Sequence, residues 1–230
     1  MGDWRERYTE VVETPEQCVA FVEAVGVCAW LSPLGCGFPN LAETMSIPSN
    51  TVINETWFWK DDLHIEKRLF YGKLLGGQAA FASLEFLPTL IAAQGDVDPH
   101  NLHEQGLLSD TTLRAYEALM EHRELTTADL KLKAKLASPD DKTAYEKATA
   151  QLTALFQICK TGITGRTRGT YGYVWGLVED WLPDVLAKAS EMRPESAAQS
   201  LQAHLESMDV HLTSKQWKKL FGFEQAERGA

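Results

Sequence analysis

Residues 109–177, SDTTLRAYEALMEHRELTTADLKLKAKLASPDDKTAYEKATAQLTALFQICKTGITGRTRGTYGYVWGL, carry the pattern that decides the fold. From Thr111 to about Arg123, Leu113, Tyr116, Leu119 and Met120 fall at the i, i+3, i+6, i+7 spacing of one helical face, and Ser109 or Asp110 stands ready to cap it. Thr126-Thr127-Ala128-Asp129 opens a second helix to about Leu136, as a capping box in which hydroxyl and carboxylate each satisfy an orphan backbone N–H. Ser138-Pro139-Asp140-Asp141 starts a third: a capping serine, proline at the first helical position and two carboxylates at the positive end of the dipole. That helix continues to about Phe156 with Tyr145, Ala148, Leu152, Leu155 and Phe156 inward, and Thr143, Lys147, Ala150 and Gln151 outward.

Helical spacing then stops. Phe156, Ile158 and Ile163 precede Thr164-Gly165-Arg166-Thr167-Arg168-Gly169-Thr170, and Tyr171, Tyr173, Val174 and Trp175 follow. β-Branched and aromatic residues around two glycines predict two strands joined by a loop. Three helices followed by a hairpin is the order of a winged helix-turn-helix, a module used mostly on nucleic acid.

Charge opposes that use at first sight. The chain carries a formal net charge of −10 with a pI near 5.1. Between Lys131 and Arg168, however, eight basic residues face three acids, a local +5 on a chain whose remainder carries −15. Screening confines a phosphate's view to about 8–10 Å at physiological salt, so the local field decides. The expected interface is Lys142, Thr143, Lys147 and Gln151 on the third helix, Lys160 on the hairpin, and Arg166 and Arg168 at its loop. The guanidinium fork suits phosphate or a narrow minor groove. The expected partner is double-stranded DNA, bound weakly and mainly through phosphates. Ordinary solvated charge is the competing explanation of the lysines, and Asp140 and Asp141 oppose docking of their helix end.

The 230 residues, 44% of them hydrophobic, suffice for packed cores, and no apolar run approaches the roughly 20 residues of a membrane span. The opening Met1-Gly2-Asp3-Trp4-Arg5-Glu6-Arg7 lacks the apolar core of a signal peptide, so a cytoplasmic location is expected. Cys18, Cys28, Cys36 and Cys159 form no C-x-x-C pair, which argues against a zinc ribbon or redox pair; Cys18 and Cys159 lie in apolar patterns and are expected to be buried. His100, His103 and Glu104 are close in sequence, but a solvated surface explains them better than a metal. No phosphate-binding glycine loop, nucleophile elbow or metalloprotease helix is present, and no cofactor, metal or catalytic residue is assigned.

The texture before residue 99 is mixed. Thr14-Pro15-Glu16-Gln17 caps a helix that stops at Gly26; Val27 to Leu31 reads as a buried strand and Pro33 to Pro48 as irregular. A helix from about Asp61 to Leu69, a strand around Ala80 to Leu84 and a helix from Pro88 to Ala93 follow. In Trp57-Phe58-Trp59, alternation places Trp57 and Trp59 on one face, and core packing is expected over base stacking. Lys60-Asp61-Asp62 with Glu66-Lys67-Arg68 reads as a solvated face of i, i+4 pairs. After the hairpin come helices near Val185 to Met192, from Pro194 inward through Ala198, Leu201, Leu205 and Met208, and from Ser214 through Trp217, Leu220 and Phe221 to Gly222. The lead-in at Leu212-Thr213-Ser214 repeats that at Leu125-Thr126-Thr127, so the tail resembles the start of a second helix-turn-helix, which would have to dock on the rest of the chain. The expected fold class is α+β: a mixed domain over 1–98, a winged helix over 99–190 and a helical segment over 191–230.

The central module, the truncated second unit, and the stretch from Gly26-Val27-Cys28 through Trp57-Phe58-Trp59 resemble the AlkZ-like winged-helix family. Its best-studied members are bacterial DNA glycosylases acting on alkylated or crosslinked bases, built from tandem winged helices. The resemblance implies DNA association. Family glycosylases carry a glutamine-x-glutamine or glutamine-x-aspartate motif that positions water and stabilises the sugar cation; its best placement here is Ala29-Trp30-Leu31, whose side chains cannot do that work. Three functional expectations follow. The first is a non-catalytic DNA-binding protein; the second, a glycosylase with substituted groups, Gln78, Glu55 and Asp61 being nearby in sequence; the third, a scaffold binding another protein or itself.

Overall fold

The structure is a computed structural model that describes residues 3–31, 36–45, 56–95 and 97–223. Asp3 caps the short α1 (Trp4–Arg7), and Thr14 with Gln17 forms a reciprocal capping box at the head of α2 (Pro15–Val25). β1 (Val27–Ala29) and α3 (Leu41–Thr44) follow, and a 3-10 turn over Thr56–Phe58 leads into α4 (Trp59–Ile65). Then come β2 (Leu69–Leu75), β3 (Gln78–Ser83), α5 (Leu87–Ala93), α6 (Pro99–Glu104) and α7 (Asp110–His122). β4 (Glu124–Thr126), α8 (Thr127–Lys133), a 3-10 turn over Pro139–Asp141 and α9 (Lys142–Ala154) precede the hairpin of β5 (Ile158–Ile163) and β6 (Tyr173–Leu177). α10 (Val178–Trp181), α11 (Pro183–Ser190), α12 (Pro194–Glu206) and α13 (Ser214–Phe221) complete the described chain. Helices with two small antiparallel sheets make the fold α+β, as the sequence predicts.

The chain divides into two compact units, Met1–Gly95 with Val185–Ala230, and Asp96–Asp184. In the first, the sheet order is β1-β3-β2, with Phe81 opposite Cys28 on one side and Tyr71 on the other. Phe21, Val22, Phe70, Phe81 and Leu87 are fully buried around it. α12 lies along α5 and contributes Ala197, Leu201 and Leu205 to this core. α13 packs on β2 through an apolar face of Trp217, Leu220 and Phe221, while Lys215, Lys218 and Lys219 are exposed.

The β2–β3 turn explains how α13 is seated. The Gly76 N–H donates to the Leu220 carbonyl at 2.8 Å, and Gly76 sits at φ 60°. A Cβ at that position would overlap the Lys219 carbonyl oxygen, which is backbone and cannot swing away. Gly76→Ala therefore combines left-handed strain with a steric clash, and we expect it to lower stability by about 1–3 kcal/mol, read as a fall in thermal unfolding temperature.

α12 is latched in the same unit by His204. Its Nε2–H donates to the Val25 carbonyl at 2.9 Å, and its ring lies 4.3 Å from that of Phe86. Burial pushes the His204 pKa below the ordinary value, and Arg7 adds to the effect. The unfolded chain thus binds a proton near pH 6.5 that the folded chain resists, and stability rises with pH through that window. We expect the urea midpoint to fall between pH 7.5 and about 5.5, and His204→Gln to remove part of that fall.

In the second unit, Leu119, Leu130, Leu136, Ala148, Leu152, Ile158, Trp175 and Leu177 form one core. Its sheet runs β4-β6-β5. Leu125 and Thr126, expected only as a lead-in to a helix, also pair with Trp175 and Val174 as the edge strand β4.

Several expectations for the first unit need correction. Trp57-Phe58-Trp59 does not alternate as a strand: it forms a 3-10 turn and the start of α4, and Trp57 is 40% exposed rather than a core residue. Lys60 and Asp61 are not a solvated face; both are 2% exposed and ion-paired with Nζ to Oδ2 at 2.6 Å. The helix also ends before Leu69, which begins β2. Within the stretch expected to be irregular from Pro33 to Pro48, Leu41–Thr44 forms α3, while Glu55 and residues 33–35 and 46–48 lie outside the described residues.

Candidate nucleic-acid interface

α9 is oriented by its inner face. Tyr145, Ala148 and Leu152 enter the core of the second unit, which turns Lys142, Thr143 and Lys147 to solvent. The helix is started by Ser138, whose hydroxyl accepts the Asp140 N–H at 3.4 Å while Asp141 accepts the Ser138 N–H at 3.2 Å. Asp141 is thereby engaged at the cap, and Asp140 is exposed beside it.

Gln151 faces a different task. Its Nε2–H donates to the Leu107 carbonyl at 3.1 Å and its Oε1 accepts from Thr112 at 3.3 Å, tying α9 to the chain around the start of α7. Thr112 is itself buried. A ligand reaching Gln151 would have to compete with both bonds.

The hairpin carries a ladder of aromatic rings. Tyr171, Tyr173 and Trp175 alternate along one face, with ring centroids 5.4 and 5.7 Å apart in edge-on contact. The Tyr171 hydroxyl donates to that of Tyr173 at 2.9 Å, and the Trp175 indole N–H donates to Thr127 at 3.1 Å. Lys160 lays its ammonium 3.8 Å above the Tyr173 ring, an attraction that places the charge at a defined point. Lys131 does the same over Tyr145, at 4.7 Å.

The loop between β5 and β6 is ordered by its own threonines. The Thr164 N–H donates to Gly172 O at 2.9 Å and its hydroxyl to Thr170 O at 2.6 Å; the Thr170 and Tyr171 N–H groups donate to Thr167 O at 3.0 and 2.8 Å. Gly165 is needed here, because a Cβ would stand 2.7 Å from that of Thr170. Arg166 and Arg168 flank Thr167 on this scaffold, and both are exposed. A cation held on a pre-ordered loop loses less conformational entropy on meeting an anion.

Three groupings therefore replace the flat set of residues expected from sequence. Lys142, Thr143 and Lys147 share the outward side of α9; Arg166 and Arg168 share a loop; Lys160 and Gln151 are engaged within the unit. Sequence reading missed the Lys60–Asp61 pair, although a signal existed. Lys60 stands at i−3 and i−4 from Leu63 and His64, the spacing of a buried helical face. Around it, the Trp57 ring lies 4.3 Å and the Tyr71 ring 6.0 Å from Nζ, and the Tyr71 N–H donates to His64 Nδ1 at 3.1 Å. Burial lowers the Lys60 pKa in spite of Asp61. Ala29 is fully buried and Leu31 62% exposed where the glycosylase motif was placed.

Among the described residues no helix is long and apolar enough to cross a membrane, and no three His, Cys, Asp or Glu side chains gather as a metal site. His103 instead pairs with Asp110 at 2.6 Å. No curated protein and no solved structure matches the chain. A family model described as AlkZ related matches residues 12–222, which covers most of the chain and reaches into both compact units. The chain belongs to the AlkZ-related family.

Proposed function

We propose that the protein associates with double-stranded DNA through the second unit, used as a winged helix, with mainly phosphate contacts. The observation that carries the reading is the pair of exposed arginines on the threonine-ordered loop that follows α7, α8 and α9 in a unit with a three-stranded sheet. Lys142, Thr143 and Lys147 add a second row of donors on α9. Lys160 contributes charge from its fixed place over Tyr173, and Gln151 serves only where its bonds to Leu107 and Thr112 yield. Weak binding is expected, because the chain as a whole repels a polyanion. Membership of the AlkZ-related family supports a DNA-related role, and the apolar side chains at Ala29 and Leu31 argue against base excision by the family's glutamine motif.

Fluorescence anisotropy with a short duplex across a salt series tests this. Binding should be measurable at ~50 mM salt and decline linearly on a log–log plot, and Lys142→Ala/Lys147→Ala should reduce the magnitude of the slope by about 2. Absence of binding at that salt overturns the proposal. A scaffold binding protein partners is the outcome then favoured.

A further inference from the structure

The Lys60–Asp61 pair has no account in the fold. Both charges are withdrawn from water, at 2% exposure, in the first turn of a seven-residue helix. A well-packed apolar pair of similar volume generally holds such a position as well or better, because desolvating two ions offsets their attraction. Stability therefore does not explain why a lysine and an aspartate stand here. Their surroundings are equally specific. Nζ lies between Asp61 Oδ2 at 2.6 Å and the face of Trp57 at 4.3 Å, with the Tyr71 ring beyond at 6.0 Å. Trp57 is 40% exposed and sits on the 3-10 turn before α4, so its ring meets the amine and also reaches solvent.

We propose that Lys60 is an amine nucleophile for the ring-opened aldehyde of a deoxyribose that has lost its base, with Asp61 as its proton partner. The substrate class is an abasic site in DNA. The inference rests on the DNA-association reading for delivery of the polymer, and the chemistry belongs to this pair alone.

Each step balances. Rotation of Trp57 admits the aldehyde, and Asp61 takes one proton from the Lys60 ammonium. The neutral amine adds to C1′, forming a C–N bond and a carbinolamine. Asp61 returns its proton to the departing hydroxyl, which leaves as water, and a protonated imine remains. That cation lies where the ammonium lay, over the electron-rich faces of Trp57 and Tyr71. It acidifies C2′–H; Asp61 takes this proton, the C3′–O3′ bond breaks, and the 3′ phosphate leaves with the bonding electrons. Water then hydrolyses the conjugated imine and frees Lys60. No oxidant, reductant or metal enters. Burial in apolar surroundings lowers the Lys60 pKa, the direction that favours the neutral nucleophile.

The full-length protein is incubated with a duplex holding one abasic site, in the presence of sodium borohydride, which reduces an imine to a stable amine. Products are resolved on a denaturing gel and the modified peptide is mapped by mass spectrometry. Binding of the same duplex is followed by anisotropy, and a parallel arm replaces DNA with free 2-deoxyribose 5-phosphate. The expected result is a covalent adduct mapped to Lys60. It should be lost in Lys60→Arg, which keeps a cation beside Asp61 but presents a guanidinium that forms no imine. Lys60→Met/Asp61→Asn, which removes both charges, provides a second blank, and circular dichroism checks that each variant is folded.

Bound duplex with no adduct overturns this proposal and leaves DNA association standing. An adduct with the free sugar phosphate at Lys60, without duplex binding, overturns DNA association and leaves the amine chemistry. An adduct mapped to another lysine, or no reaction in either arm, rejects Lys60. If both variants unfold, the mapped position in the natural protein decides.

Discussion

Lys60→Met should destabilise the first unit by about 3–5 kcal/mol, among the largest single-residue effects expected in this protein. Methionine matches the lysine stem in length and fills the space beneath Trp57. What it cannot supply is a countercharge for Asp61, which is 2% exposed and accepts from Nζ at 2.6 Å. Losing Nζ removes the charged partner that offsets the desolvation of this carboxylate, and about 3–5 kcal/mol is a large share of a typical domain's stability of about 5–15 kcal/mol. Urea unfolding followed by tryptophan fluorescence reads the change directly. Lys60→Met/Asp61→Asn should recover most of the loss, because it removes the buried charge rather than isolating it. A single variant as stable as the natural protein would mean that Asp61 is hydrated, contrary to the structure.

Capping chemistry made much of the fold legible. Thr14 with Gln17, Ser109, Thr126, Ser138 with Asp141, and Thr213 with Gln216 all act as helix starts where the sequence places them. These signals are local, since a short side chain meets a backbone N–H two or three residues away. The strands were legible in proportion to their length. β5 and β6 show β-branched and aromatic runs, whereas β4 has three residues and is defined only by its partner β6, some fifty residues later in the chain. β2 was hidden because Leu69 and Phe70 extend the apolar spacing of the preceding helix.

The candidate site divides in the same way. Exposed positions on α9 and the loop follow from helical phase and from two glycines. The engagement of Gln151 by Leu107 and Thr112, and of Lys160 by Tyr173, depends on segments that only tertiary folding brings near. Lys60 and Asp61 were misread for a different reason. Charge is normally a sign of exposure, and here helical phase, which put Lys60 in line with Leu63, was the better guide.

Arg166→Ala/Arg168→Ala carries the second large expected effect and bears on the central claim, that ordered loop cations meet DNA phosphates. Each guanidinium that neutralises a phosphate releases about one condensed counterion, so losing both should lower the log–log salt slope by about 2 and weaken every duplex sequence similarly. The loop itself should survive, because the bonds of Thr164, Thr167 and Thr170 and the space left by Gly165 set its conformation. The decisive measurement is therefore duplex anisotropy on the natural protein and this pair of substitutions, over one salt series. Weaker binding with the shallower slope is the predicted result; an unchanged affinity and slope would contradict the account.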